Sequence, residues 1–229
     1  MLVSFFCLMR KPLGIASHFH FSPLAFLAIL AIFLVRATVF LSMSPMRICG
    51  VLWVGFYILW LVWATRIKKA ERRESSLSYF LHRVLVATGF LLIFLDVPWK
   101  WLHRRMLPNF EWLPVLGIAM AVAGFALAIW ARVHIGRNWS SSVVAKVQHE
   151  LIRSGPYRWV RHPIYSGLVL ALLGTVLVQD QLRGLIALLL VYVGWKIKSR
   201  LEERMMVSTF GDQYTAYANS TGALFPRLH

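Results

Sequence analysis

The stretch SGPYRWVRHPIYSG, Ser154 to Gly167, gathers Arg158, Arg161, His162, Tyr157 and Tyr165 between two apolar parts of the chain. A second polar group, Lys196, Lys198, Arg200, Glu202 and Glu203, closes the last long apolar run. Carboxylates accept hydrogen bonds from sugar hydroxyls, while basic side chains and backbone N–H groups hold a carboxylate. Aromatic rings such as Tyr157 and Tyr165 attract a sulfonium through cation–π contact. The set therefore suits a ligand with a ribose, a flat base and a zwitterionic tail. Pro156 and Pro163 fix the angle at which the chain joins the next helix, and Pro163 suits a first helical turn. Gly155 and Gly167 allow tight turning or close helix approach. The same residues also fit a plainer role. Basic groups flanking a span act as membrane anchors, and Glu202 and Glu203 balance Lys198, Arg200 and Arg204 on a solvated helix face. Residue types alone leave both readings open.

The elements that must position these groups are read from hydropathy. The chain has 229 residues, 59% hydrophobic, with a mean hydropathy of +0.63. Soluble domains carry roughly 45–50% apolar residues, so composition points to a membrane protein. Six apolar runs, 22–41, 48–64, 84–98, 113–131, 164–178 and 184–198, predict an all-α, polytopic helical bundle with five to six membrane helices. The third and the last two are short, so tilt or partial embedding is expected there. Most of the 25 lysines and arginines fall on one side of such a bundle, which places that side and both termini in the cytoplasm. Anionic headgroups account for part of the formal charge of +16, and no nucleic acid is needed to explain it.

The last two runs, joined by QDQLRG, form a helical hairpin. Its second leg returns the chain to the face it left, at about 1.5 Å per residue, which brings Glu202 beside His162. Elsewhere chemistry is sparse. Trp53, Trp60, Trp63, Trp99, Trp101 and Trp112 fit an interfacial belt better than a binding site. Arg36, Arg83 and Asp96 are ionisable groups in or near spans, close enough to an end to snorkel. Cys7 and Cys49 have no metal-ligand spacing and read as packing residues. The opening MLVSFFCLMRKP puts apolar residues before its charges, unlike a signal peptide. One integrated membrane domain is expected, with helices in 1–131 and a cofactor-binding region in 132–229.

GPYRWVRHPIYSG, followed by EERMMVSTFGDQYTAY and a closing FPR, resembles the isoprenylcysteine carboxyl methyltransferase family, over about residues 134–227. That family sits in a wider group of integral-membrane methyltransferases that includes phospholipid N-methyltransferases. The resemblance implies S-adenosylmethionine as methyl donor in a cytoplasm-facing pocket. By matching positions it implies cofactor contacts from His162, Pro163, Ile164 and Tyr165, from Tyr157, from His149, Glu150, Leu151 and Ile152, and from Glu202. Family members from eukaryotes carry an arginine one turn before that glutamate, assigned to the substrate, where this chain has Lys198. Lysine keeps the charge and loses the bidentate fork. Lys198 is the expected acceptor-positioning residue, with Lys196 or Arg200 as substitutes and no metal involved.

The expected reaction is methylation of the carboxylate of an isoprenylcysteine-like or other lipophilic acceptor, which would reach the site through the membrane. Three alternatives remain at this level. They are N-methylation of a phospholipid or other amine, a membrane reductase using NADPH, and a non-catalytic membrane-organising protein.

Overall fold

The computed structural model describes residues 43–64, 76–136 and 151–227. The predicted span 22–41 and the basic loops 65–75 and 137–150 lie outside them. Ser44–His229 forms one compact unit.

Helix α1 covers Pro45–Ala64 and opens on Ser44, whose Oγ accepts from the Arg47 N–H at 3.4 Å, with Pro45 in the first turn. Helix α2, Ser76–Phe94, begins eight residues before the predicted 84–98 run and ends earlier, because the Asp-Val-Pro sequence at 96–98 cannot continue a helix. Helix α3, Leu113–Ile135, again carries proline in its first turn. Helix α4, Pro163–Gln179, matches the predicted first leg. Helix α5, Leu182–Phe210, runs past the predicted end at 198 as one continuous 29-residue helix. No glycine or proline interrupts it after Gly194, and it stops at Gly211, whose φ of 55° few other residues adopt. At about 1.5 Å per residue it spans roughly 43 Å, more than a bilayer core of about 30 Å, so its last turns carry Glu202 and Glu203 beyond the apolar layer. Helix α6, Asp212–Ser220, follows directly. Among the described residues, the only extended pairing is an isolated bridge between Val160 and Gly222.

The hairpin legs do not zip along each other. Helix α4 packs along α3, and α5 packs along α2, while α4 and α5 touch sparingly. Glycines explain the choice. On α3 and α4, Gly117 and Gly124 face Gly174 and Gly167 so closely that an added Cβ would meet facing backbone atoms. On α2 and α5, Gly89 meets Ala187 and Val191, and Gly194 meets Val86 and the His82 carbonyl. Two tight pairs thus stand apart, with α1 lying against α3 and α4. Trp53 of α1 locks this contact. Its indole N–H donates to Thr175 Oγ1 at 3.0 Å, and Phe90 and Phe125 meet it edge-on at 4.8 and 4.9 Å.

The hairpin turn is fixed from outside. Asp180, left-handed at φ 47°, is buried. It accepts from Arg105 Nε at 2.7 Å and from the N–H groups of Met106 and Leu107 at 3.3 and 2.9 Å. Arg183 and Gln179 donate to the carbonyls of Leu95 and Ile93.

The outer surface is that of a membrane protein. Helices α1 and α3 are each long and apolar enough to cross a bilayer, over Pro45–Trp63 and Leu113–Ile135. Helix α1 shows Val51, Val54, Ile58, Leu61 and Val62 to the outside, an apolar face that water would penalise and lipid would not.

Candidate functional site

The site forms where α4 begins and α5 leaves the apolar layer. Gly155, at φ 59°, turns the chain into a single 3₁₀ turn, Gly155–Arg158, and Pro163 then starts α4 directly after His162. An added Cβ at Gly155 would meet the His134 ring, so this turn is built for glycine.

His162 is the centre. Its Nε2 lies 3.1 Å from Glu203 Oε1 and its Nδ1 lies 3.4 Å from Glu202 Oε2. Tyr165 donates to Glu202 Oε1 at 2.7 Å, and Lys198 Nζ stands 3.8 Å from the same oxygen, one helical turn before it. Arg161 Nε donates to Glu203 Oε1 at 2.8 Å. The rings stack in sequence: His162 on Tyr165 at 5.6 Å, then Tyr165 on Trp195 at 6.2 Å, with interplanar angles of 20° and 12°.

The electrostatics follow from this pairing. Burial pushes the His162 pKa down, but the two carboxylates outweigh it and hold the imidazole above its ordinary value. A carboxylate stands at each ring nitrogen, an arrangement that favours the protonated ring. Burial likewise pushes Glu202 up, and hydrogen bonds from His162 and Tyr165 with the charges of His162 and Lys198 bring it below the usual carboxylate range. Glu203 is lowered to about 2, because His162 and Arg161 overcome its burial.

The C-terminal segment clasps the same loop. The N–H groups of Arg161 and His162 donate to the Gly222 and Ala223 carbonyls at 2.9 and 3.0 Å. Ser166 Oγ donates to the Leu224 carbonyl at 2.5 Å. The Arg161 guanidinium also donates to the carbonyls of Ala218 and Thr221. Tyr217 O–H reaches the Tyr157 carbonyl at 2.6 Å, and the Tyr157 hydroxyl reaches the Ala131 carbonyl at 3.4 Å.

A cavity of about 1160 Å³ runs from this cluster along the bundle. Leu151, Ile152, Tyr157, His162, Pro163, Ile164, Tyr165, Lys198 and Glu202 all line it, so the structure brings together every described residue that the family resemblance assigned to the site. His149 and Glu150 lie outside the described residues. The far wall was not foreseen: Trp53, Phe56, Tyr57 and Trp60 of α1 and Phe90 of α2 line it. Trp53 and Trp60 therefore face the cavity, where the sequence suggested a belt, because α1 turns one side to the gap between the helix pairs. Arg83 lines it too, in place of a plain snorkelling role. The tail clasp and the part of Glu203 were also missed. The doubled glutamate was the only signal for the part of Glu203.

A helical bundle with a lipid-facing surface, an ion-paired cluster at one end and an aromatic-lined cavity leading from it has the build of the integral-membrane class of proteins. The relatives narrow this class. Residues 112–213 match the phospholipid methyltransferase family. The chain is 32% identical over 117 residues to the protein-S-isoprenylcysteine O-methyltransferase of Saccharomyces cerevisiae, covering 49% of this chain and 48% of that protein. It is also 32% identical over 150 residues to the protein of the same name from Homo sapiens, covering 63% of this chain and 53% of that one. A solved structure, the eukaryotic intramembrane Ras methyltransferase isoprenylcysteine carboxyl methyltransferase, aligns over 67% of this chain and 54% of its own, with a TM-score of 0.48 and 23% identity. The chain spans about half the length of the curated relatives it matches. The resemblance to the isoprenylcysteine carboxyl methyltransferase family read from RHPIY and the paired glutamates is borne out.

Proposed function

We propose that this protein is a multi-pass integral-membrane methyltransferase using S-adenosylmethionine, and that it methylates the carboxylate of an isoprenylcysteine-like or other lipophilic acceptor. The observation that carries the acceptor class is the charge of the cavity wall. Among the described residues that line it, Glu202 is the one carboxylate, set against Arg83, Arg161 and Lys198. Beside Lys198 and Arg83 that field favours an anionic acceptor over a cationic one. The cavity is also larger than the roughly 300–1,000 Å³ of a single small-ligand site, which gives room for a donor and an acceptor side by side.

The residues fit the donor. Glu202 is recessed and already an anion, suited to accept from ribose hydroxyls, and the stacked Tyr165 and Trp195 offer flat apolar faces. Leu151, Ile152, Tyr157, Pro163 and Ile164 supply apolar wall around them. When bound, S-adenosylmethionine supplies an electrophilic methyl group on a sulfonium. The protein's own contribution is positioning and exclusion of water. Lys198 holds the acceptor carboxylate, which is ionised at neutral pH and needs no base. The aromatic channel between α1 and α2 receives the lipophilic tail. Residues 1–131 thus contribute helices that shape the acceptor's path, and 132–229 the donor site. With the basic side cytoplasmic by the positive-inside rule, the polar cluster and both termini face the cytoplasm in a bundle of five to six spans.

The match to the phospholipid methyltransferase family supports a second reading, N-methylation of an amine headgroup. That chemistry needs a base near the acceptor. Both ring nitrogens of His162 face carboxylates, which leaves neither turned toward an acceptor amine, and this favours the carboxyl reading.

Calorimetric binding of S-adenosylmethionine to the detergent-purified protein and to Glu202→Ala tests the class. Methyl incorporation into a prenylcysteine analogue against phosphatidylethanolamine tests the acceptor. Saturable binding lost in the variant, with transfer to the analogue, is the expected result. Transfer to phosphatidylethanolamine alone would select the second reading.

A further inference from the structure

Lys198 is a poor sole holder for a planar carboxylate, since an ammonium is a point charge without the paired donors that fix orientation. It is also drawn toward Glu202, 3.8 Å away on its own helix. A second cation faces the same space from another helix. Arg83 of α2 lines the cavity that Lys198 lines from α5. The register of the two helices sets the two residues at adjacent levels of that cavity. Helices α2 and α5 are antiparallel, with Gly89 against Ala187 and Val191, and Gly194 against the His82 carbonyl. Arg83 therefore starts about level with Trp195, and Lys198 starts one turn closer to the polar end. Side chains in a helix lean toward its N-terminus. Arg83 leans toward the polar end, and Lys198 leans back toward Gly194. Both cations therefore line the cavity from neighbouring helices at adjacent levels, between the donor-side cluster and the aromatic channel.

We propose that Arg83 is an acceptor-specificity residue, completing with Lys198 a two-helix cationic clamp on the acceptor's carboxylate. The proposal rests on the carboxyl-methylation reading above and adds a residue outside the matched family segment, since Arg83 precedes residue 112. Its guanidinium supplies the bidentate fork that Lys198 lacks. A lipophilic tail running along the α1–α2 wall would carry its carboxylate past Arg83 before reaching Lys198. Arg83 holds the acceptor through its anionic head and stands apart from the donor contacts, because the groups around Glu202 are His162, Tyr165 of α4 and Lys198 of α5.

The test is paired binding and kinetics on full-length protein in detergent, with wild type, Arg83→Gln and Arg83→Lys. N-acetyl-S-farnesylcysteine and its carboxamide serve as acceptor-site ligands, and S-adenosylhomocysteine as the donor-site ligand. Wild type should prefer the carboxylate to the carboxamide by tenfold or more. Arg83→Gln should erase most of that preference and raise the acceptor KM about tenfold, while S-adenosylhomocysteine affinity stays within twofold and reports an intact fold. Arg83→Lys should fall between them. An unchanged preference in an active Arg83→Gln overturns the clamp and leaves the methyltransferase reading standing. Parallel loss of S-adenosylhomocysteine binding overturns it as well, by showing a structural role. A folded wild type that binds neither class of ligand removes the reading beneath the clamp, and the clamp with it.

Discussion

Tyr165 donates a 2.7 Å hydrogen bond to Glu202, joining the first turn of α4 to the far end of α5 across 37 positions of sequence. The bond aims the carboxylate at the cavity and holds the Tyr165 ring parallel to Trp195. A hydrogen bond to a charged group contributes about 1.5–3 kcal/mol, and part of that is recovered when water replaces the phenol. Tyr165→Phe should therefore weaken S-adenosylhomocysteine binding roughly five- to thirty-fold by calorimetry. The stacking face is retained, so folding should be unaffected. Affinity equal to wild type would mean that the orientation of Glu202 does not matter to the donor.

The ion-pair cluster sets a pH profile. Glu203 sits near 2 and Glu202 also lies below its ordinary value, so their stabilising pairing is complete above the unfolded carboxylate range near 4.5 and is lost as pH falls toward 2. His162 is raised above 6.5, so its contribution is complete below 6.5 and is lost as pH rises through the higher folded value. Thermal stability should be greatest between about 4.5 and 6.5 and should decline on the alkaline side as the imidazolium loses its proton. His162→Gln should flatten that alkaline decline. Melting curves from pH 4.5 to 9 in one detergent decide this, and an unchanged slope in the variant contradicts it.

The helix pairing makes an opposite-sign prediction at two glycines. An added methyl at Gly124 meets backbone atoms of Gly167 and Ala171, which cannot rotate away. Overpacking of this kind costs about 1–3 kcal/mol, so Gly124→Ala should lower the melting midpoint by roughly 3–10 °C. Gly55 on α1 has nothing within 4 Å of the same position. Gly55→Ala should be neutral or slightly stabilising, since alanine is the better helix former by about 1 kcal/mol. Equal melting of the two variants would remove the close-packed seam as the basis of the α3–α4 pair.

These relationships divide between what the sequence carries and what it does not. The meeting of His162 with Glu202 was legible because two legs of similar length must return the chain to one face. The pairing of helices was not, because Gly117, Gly124, Gly167 and Gly174 mark close contact without naming the partner. The natural assumption is that the hairpin legs pack together, whereas the glycines join each leg to an upstream helix. Trp53 illustrates the same limit. A tryptophan near a span end has the composition of an interfacial belt, and only its bond to Thr175 shows that it faces inward. Contacts made through backbone carbonyls, such as those of the tail with Arg161 and His162, leave no mark on residue type at all.

That tail supplies the last prediction. Arg161 joins three things at once: Glu203, the end of α6 through the Ala218 and Thr221 carbonyls, and the backbone of Gly222 through its own N–H. Its side chain is a fork whose separate N–H groups face separate acceptors, which an ammonium cannot reproduce. Arg161→Lys should therefore release the clasp while keeping the charge. Amide exchange at residues 218–224 should quicken markedly, and with Glu203 less firmly held, His162 should lose one of its two anchors. Donor affinity should fall about tenfold, the scale of one lost charged hydrogen bond at roughly 1.5 kcal/mol. A chain ending after Ser220 keeps Arg161 yet loses the strap of Gly222, Ala223 and Leu224 carbonyls, so it should show a comparable loss. Faster exchange with unchanged donor affinity would make the clasp a local fastening of the C-terminus, unconnected to the site. Loss of affinity in both variants would make the tail a part of the donor site's support.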